Sequence, residues 1–302
     1  MEIVHVRRPK ESAILARRTL LAATTASLMT STPAHASPSG ATTGLRKLEA
    51  RHGARLGVFA HNLATERFVS HRADELFPMC SVFKTLAAAA VLRDLDRHGE
   101  FLARRIHYTE ADLPEGSDKT REHLADGMTV AELADVAITY SDNGAANLLL
   151  RELGGPTAIT RFCRSLGDPV TRLDRWETAL NSAEPWRITD TTSPRAIGRT
   201  YGRLVLGDAL GRRDRGLLTH WLLNNTTSST RFRAGLPKAW TVADKTGGGS
   251  YGTNNNVGIA WTEDGAPIVL AVLTTKPDQD AARDDELVAD TAALIAKTLT
   301  LS

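Results

Sequence analysis

The 302-residue chain carries only two cysteines, Cys80 and Cys163, too few for a disulfide framework. Its nine histidines include no HxxxH, HxH or HxxEH pair, which argues against a zinc site built on such spacing. Neither sign of charge dominates. With 37 Lys plus Arg against 35 Asp plus Glu, the net charge is +2, which gives no case for nucleic acid or an anionic membrane as partner. The densest basic cluster, Arg212-Arg213-Asp214-Arg215, reads as a solvated loop or helix end. There is no internal repeat. What is present is ordinary for a globular protein: 42% apolar and 24% charged residues, on a chain long enough for one large domain or two of usual size.

Residues 1–36 read as an export signal. Arg17-Arg18-Thr19-Leu20-Leu21 opens an apolar run that reaches Leu28-Met29 but is broken by threonines and serines, and it is too short to span a bilayer. Ala34-His35-Ala36 supplies small residues at the −3 and −1 positions of a cleavage site, so Ser37 would begin the mature chain. The paired arginines favour the twin-arginine route. A disordered N-terminal tail is the alternative. The expectation is an exported protein, secreted or periplasmic, with no stable membrane association.

The remaining chain has an interrupted design. Gly44 to His52 reads as a helix, and two strand-like segments follow, Leu56 to Ala60 and Arg67 to Ser70, joined by a short polar hairpin connection. From Ser81 to about Leu222 the pattern is helical: Thr129 to Tyr140 opening on a Thr129/Glu132 capping box, then Gly144 to Leu153, Thr157 to Leu166, Pro194 to Leu206 and Gly216 to Leu223. Leu173 to Thr192 has no period, which is uncommon in a long loop unless it is functional. Strands return at Ala239 to Val242, Asn256 to Trp261 and Pro267 to Leu273, before a closing helix from about Ala281 to Leu299. The expected fold is α+β: an antiparallel sheet flanked by helices from residues 37–79 and 223–302, an all-helical domain over 80–222, and a site between them.

Four clusters of polar residues punctuate this pattern. Ser81 and Lys84 form Ser-x-x-Lys at the start of a helix, so the amine lies one turn from the hydroxyl. A helix N-terminus suits a developing oxyanion, and a desolvated lysine can activate a serine. Alone, the motif also reads as a helix cap followed by a surface lysine. Ser141-Asp142-Asn143 lies in a tight connection between helices, fit to relay a proton and hold an amide, or simply to cap the next helix. Lys245-Thr246-Gly247-Gly248-Gly249 follows one strand and precedes another, offering an anion-binding lysine and close backbone approach. It equally resembles a glycine-rich turn, and it is not a P-loop, because the lysine precedes the glycines. In the aperiodic loop, Glu177 and Asn181 are spaced to hold one water between them.

Ser-x-x-Lys, Ser-Asp-Asn and Lys-Thr-Gly in that order, with a glutamate acting through water, resemble the signature of class A β-lactamases. Arg172-Leu173-Asp174-Arg175-Trp176-Glu177, Asp190-Thr191-Thr192-Ser193-Pro194 and Trp240-Thr241-Val242-Ala243-Asp244-Lys245 extend the resemblance along nearly the whole chain after residue 36. It implies a hydrolase acting on a small β-lactam; no cofactor or metal is expected, and a monomer is the default, since nothing in the sequence suggests an obligate interface. In that pattern Ser81 is acylated, activated by Lys84 or by Glu177 through a water, and Ser141 passes a proton to the leaving nitrogen. Glu177 and Asn181 hold the deacylating water. Asn143 binds the substrate amide, and Lys245, Thr246 and Arg231 receive its carboxylate, with Arg233 close by in sequence. Ser81 and Gly248 supply oxyanion N–H groups. Arg175 and Asp190 are expected to form an ion pair closing the long loop.

The chain departs from the family in three places. Gly116 stands where an aromatic usually flanks the entrance, and Thr178 replaces a frequent proline. Cys80 stands beside the nucleophile, as in some carbapenem-hydrolysing relatives, but Gly249 replaces its partner cysteine. No disulfide is expected. The nearest competing reading is a penicillin-binding DD-peptidase, which acylates but deacylates slowly. A non-catalytic β-lactam sensor is the more distant one.

Overall fold

Alternation of apolar side chains in the last third of the chain dictates a sheet covered on both faces. In Pro267–Thr275, Ile268, Leu270 and Val272 enter one core, and Val269, Ala271 and Leu273 enter the other. The computed structural model describes residues 39–300, which belong to one compact unit. The expected export signal lies outside them. Five antiparallel strands, β1 (Arg55–Asn62), β2 (Arg67–His71), β3 (Thr241–Gly248), β4 (Asn254–Trp261) and β5 (Pro267–Thr275), are ordered β2-β1-β5-β4-β3. The β1–β2 hairpin pairs Ala60 with Val69, and β1 pairs next with β5, Ala60 opposite Leu270. The two ends of the chain are therefore laced into one sheet.

Helices α1 (Ser39–His52) and α8 (Asp285–Thr300) cover the outer face, where Leu45, Leu287, Val288 and Ile295 pack on Leu56, Val58 and Leu270. The larger core lies on the other face. It holds α2 (Phe83–Ala90), α3 (Val130–Thr139), α4 (Asn143–Glu152), α5 (Thr157–Ser165), α6 (Pro194–Val205) and α7 (Arg212–Leu223). Every residue of α2 is buried, Lys84 and Thr85 included, as expected of a helix enclosed on all sides by the core. Its run Ala87 to Ala90 lets neighbouring helices approach closely.

The helices and strands read from sequence are present with differences at their ends, but the part from 80 to 222 is not wholly helical. Arg105–Ile106 pairs with Met128–Thr129, and Thr191–Thr192 pairs with Phe77–Pro78, two-residue strands too short to leave a period in the sequence. The Ser81 helix opens with a 3-10 turn, Cys80–Val82, and closes with a π turn, Val91–Leu95. α7 begins at Arg212, a turn earlier than its periodicity suggested, so the basic cluster is that helix's first turn. The capping box before α3 is formed: Glu132 N donates to Thr129 Oγ1 at 3.2 Å, and Thr129 N to Glu132 Oε2 at 2.7 Å. One placement needs correction. Lys245 to Gly248 lie within strand β3 and pair with Val257 to Asn254. Two adjacent small residues fit a strand edge that must lie flush against another backbone, so glycine here marks close approach and not a turn.

Candidate active site

The nucleophile candidate sits on a strained turn. Cys80 and Ser141 both adopt left-handed backbone, φ 47° and 61°, a conformation that costs non-glycine residues energy and clusters at functional sites. Asn255, within β4, holds the first of these turns: its Nδ2 donates to Pro78 O at 2.9 Å and Met79 O at 3.1 Å. β3 passes directly alongside, and a Cβ on Gly247 would lie 3.0 Å from Met79 O and 3.2 Å from Ser81 N. The backbone of the turn and that of the strand edge therefore run in close contact at Ser81.

Ser81, Lys84 and Glu177 converge around one carboxylate oxygen. Ser81 Oγ donates to Glu177 Oε1 at 3.0 Å, and Lys84 Nζ lies 3.1 Å from the same oxygen. Sequence reasoning expected the glutamate to reach Ser81 through water, but the side chains touch directly. Lys84 Nζ also donates to Ser141 O at 2.7 Å and Asn143 Oδ1 at 2.6 Å. Burial pushes the Lys84 amine below its ordinary range, against the upward pull of Glu177. Asn181 Nδ2 donates to Glu177 Oε2 at 2.6 Å, so both carboxylate oxygens are held.

The Ser141-Asp142-Asn143 connection serves both purposes that the sequence left open. Asp142 caps α4, accepting from Ala145 N at 2.8 Å, while Ser141 and Asn143 face the site. Lys245 Nζ donates to Ser141 Oγ at 2.9 Å, and Lys84 Nζ lies 3.4 Å from it. With amines on two sides acting as donors, the hydroxyl accepts, and its own hydrogen is left to point elsewhere. Lys245 is fully buried. Burial first, and then repulsion from Lys84 and Arg231, push its pKa well below the ordinary value.

Arg231 and Arg233 are separated by their partners. Arg233 is spent on structure, donating to Ser228 Oγ, Leu223 O, Val242 O and Asp244 Oδ1. Arg231 donates to Asp285 Oδ1 at 2.7 Å and Asn255 O at 3.3 Å, and its charge is felt at Lys245. Thr246 shares a 2.5 Å hydroxyl contact with Thr227. Gly248 lies under the exposed Arg283, where a Cβ would meet the guanidinium carbon at 2.6 Å.

The loop carrying Glu177 is fastened by polar contacts. The expected ion pair is present, with Arg175 Nε 2.5 Å from Asp190 Oδ2. Asp190 Oδ1 also accepts from Asp174 N and Arg175 N at 2.8 and 2.9 Å. Asn147 clamps the glutamate backbone from both sides: Glu177 N donates to Asn147 Oδ1 at 3.0 Å, and Asn147 Nδ2 to Glu177 O at 2.9 Å. The peptide joining Glu177 to Thr178 is cis. Gly249 touches the loop, where a Cβ would lie 2.6 Å from Asn181 O and 2.9 Å from Cys80 Sγ. Cys80 and Cys163 are both free and buried, and desolvation raises both thiol pKa values.

Asn147, Asn255 and Arg283 are the residues that sequence reading missed. Asn147 had a signal, standing four residues after Asn143 and hence on the same face of α4. Asn255 and Arg283 are brought in by sheet pairing and the approach to α8, for which the sequence has no local mark. Gly116 lies where expected, against the site: it adopts φ 74°, and a Cβ would meet Asn143 Nδ2 at 2.7 Å.

Known proteins resemble the chain along nearly its whole described length. Residues 41–299 match the family model described as the Beta-lactamase enzyme family. A β-lactamase of Streptomyces albus G is 61% identical, over 94% of this chain and 97% of that protein. One from Streptomyces fradiae is 59% identical, over 97% and 98%. Among solved structures, the Streptomyces albus G β-lactamase superposes with a TM-score of 0.83 at 67% identity, covering 85% of this chain and 98% of that one. A mutant of the last common ancestor of Gram-negative class A β-lactamases gives 0.82 at 49% identity, covering 86% and 98%. The chain belongs to the β-lactamase enzyme family, as a hydrolase of class A.

Proposed function

We propose that the protein hydrolyses the β-lactam amide bond of penicillin- and cephalosporin-type antibiotics through an acyl link to Ser81, and so confers resistance. The observation that carries the reading is the single oxygen, Glu177 Oε1, within hydrogen-bond reach of both Ser81 Oγ and Lys84 Nζ. Ser81 Oγ attacks the lactam carbonyl while its proton passes to Glu177 or to a neutral Lys84. The oxyanion is met by the N–H groups of Ser81 and Gly248, each such donor being worth about 10²–10³ in kcat. The C–N bond breaks as Ser141 delivers its proton to the ring nitrogen, and Lys84, 3.4 Å from Ser141 Oγ and 3.1 Å from Glu177 Oε1, passes the proton released by Ser81 on to Ser141, leaving Glu177 ionised. Lys245, Thr246 and Arg231 receive the substrate carboxylate, and the Asn143 amide N–H not used by Glu115 O meets the side-chain carbonyl.

Acylation itself prepares the second half. Once Ser81 Oγ is esterified it has no hydrogen to donate, so Glu177 Oε1 loses its donor. A water molecule takes that role, and Glu177, steadied by Asn181, draws a proton from it as it attacks the ester; the acyl C–Oγ bond then breaks and Glu177 returns that proton to Ser81 Oγ. No helix among the described residues is long and apolar enough to cross a membrane. Residues 1–36 act as an export signal, and the mature chain works as a monomer outside the cytoplasm, its cleft formed between the sheet part (37–79, 223–302) and the helical part (80–222).

Mass spectrometry after exposure to benzylpenicillin tests the cycle and separates it from the peptidase reading. Wild type should return unmodified, Glu177→Ala should accumulate an adduct on Ser81, and Ser81→Ala should form none. An adduct that persists on wild type would instead indicate a penicillin-binding peptidase.

A further inference from the structure

Arg195, Arg199 and Arg203 recur every four residues along α6, so they share one face. Their surroundings are unequal. Arg195 is bound by Asp74, at 2.8 and 3.0 Å. Arg199 and Arg203 have no hydrogen-bonded or ion-paired partner among the described residues, although Arg199 lies 6.0 Å from the centre of the Phe59 ring. Both are exposed, and both line two adjoining hollows that share no residue with the Ser81 site.

The first hollow is a cleft of about 200 Å³ between α6 and the turn at Leu166 to Val170. Gly167 adopts φ 73° there, and a Cβ would stand 2.9 Å from Arg203 Nη1. The carboxylate at this end is already committed: Asp168 accepts from Val170 N, Thr171 N, Thr171 Oγ1 and Thr200 Oγ1. The second hollow is a groove of about 400 Å³ floored by Phe59, Leu206 and Val269, within the usual range for small-molecule sites. His61 on its wall is held by Glu66 at 3.1 Å. Two guanidinium groups without a hydrogen-bonded carboxylate thus stand where a polar cleft meets an apolar groove; Asp74, which also lines the cleft, is bonded to Arg195 and acts on Arg199 only at longer range. Their planar forks match carboxylate and phosphate oxygens.

We propose that this face binds a small amphipathic anion, its carboxylate or phosphate head between Arg199 and Arg203 and its apolar tail along Phe59, Leu206 and Val269. Neither half of the site suffices alone: exposed ion pairs are weak in water and screened by salt, and the groove needs an apolar segment to cover it. A ligand held here raises the melting temperature by mass action. It leaves hydrolysis unchanged, because it touches no group around Ser81.

The test is calorimetric titration of the full chain with octanoate and octyl phosphate below their micelle concentrations, beside octanol and inorganic phosphate. At least one octyl anion should bind tenfold or more tighter than octanol and phosphate, and the tighter of the two identifies the head group. Arg199→Ser/Arg203→Ser should weaken that binding at least tenfold while hydrolysing benzylpenicillin at the wild-type rate. In wild type, the arginine Nε–H NMR signals of Arg199 and Arg203 should move on titration, a measurement that needs no variant. Octanol or phosphate binding as tightly as the anions, an unchanged affinity in the double variant, or stationary Arg199 and Arg203 signals would each overturn the proposal.

Discussion

The two sides of the cleft around Ser81 are built by different physics. Ser81 and Lys84 stand at the start of α2, where Phe83, Leu86 and the alanine run are wholly buried and position follows from packing. Glu177 stands on a loop that buries Leu173 and Leu180 but turns Trp176, Trp186 and Ile188 toward solvent, Trp186 being 71% exposed. That loop is held mainly by hydrogen bonds through Asp190, Asn147 and Asn181. A packed core loses contacts in proportion to the volume removed, whereas a polar network loses several bonds when one member goes. The nucleophile side should therefore fail by unfolding, and the carboxylate side by losing geometry.

Leu86→Ala tests the packed side and should have the largest effect on stability, about 2–5 kcal/mol. Its urea midpoint should fall while the ratio of acylation to deacylation rates stays at the wild-type value. Asp190→Ala tests the hydrogen-bonded side. It leaves Arg175 and two backbone N–H groups without their acceptor, at a cost of about 1–3 kcal/mol, and stopped-flow kinetics should show deacylation slowed more than acylation. If both variants changed the rate ratio equally, the contrast between the two sides would be wrong.

The smallest effect is one of pH. Lys245, pushed well below its ordinary value, is charged below its folded-state pKa and loses that charge as pH rises through it. KM for benzylpenicillin should climb on the alkaline side, and Lys245→Arg should remove the climb, since arginine keeps its charge. The same depression has a sign for stability. The unfolded chain binds more protons between the folded pKa and about 10.4, so this residue makes stability rise with pH across that interval. Lys245→Met should flatten that part of the dependence in urea titrations.

Much of this contrast was legible in the sequence, though unevenly. The clusters at Ser81, Ser141 and Lys245 lie beside periodic segments, so their element boundaries and their order could be read together. The aperiodic loop could be bounded, and Arg175 with Asp190 could be paired through the family resemblance. The Asn147 clamp was less visible because it joins positions thirty residues apart. Lys245 reads from sequence as lying between two strands because the glycines after it carry a local signal for turns, whereas its strand pairing with Val257 is a tertiary fact. Arg283 over Gly248 has no signal short of the folded chain.

Gly249 has a consequence for how far this enzyme can be reshaped. Strand and loop close on each other there because that residue has no side chain, and even a methyl group would press on Asn181 O. Asn181 in turn steadies Glu177. Any side chain at position 249 would thus displace the residue that holds Glu177, so the fit of strand to loop and the position of that carboxylate are geared together through one missing atom.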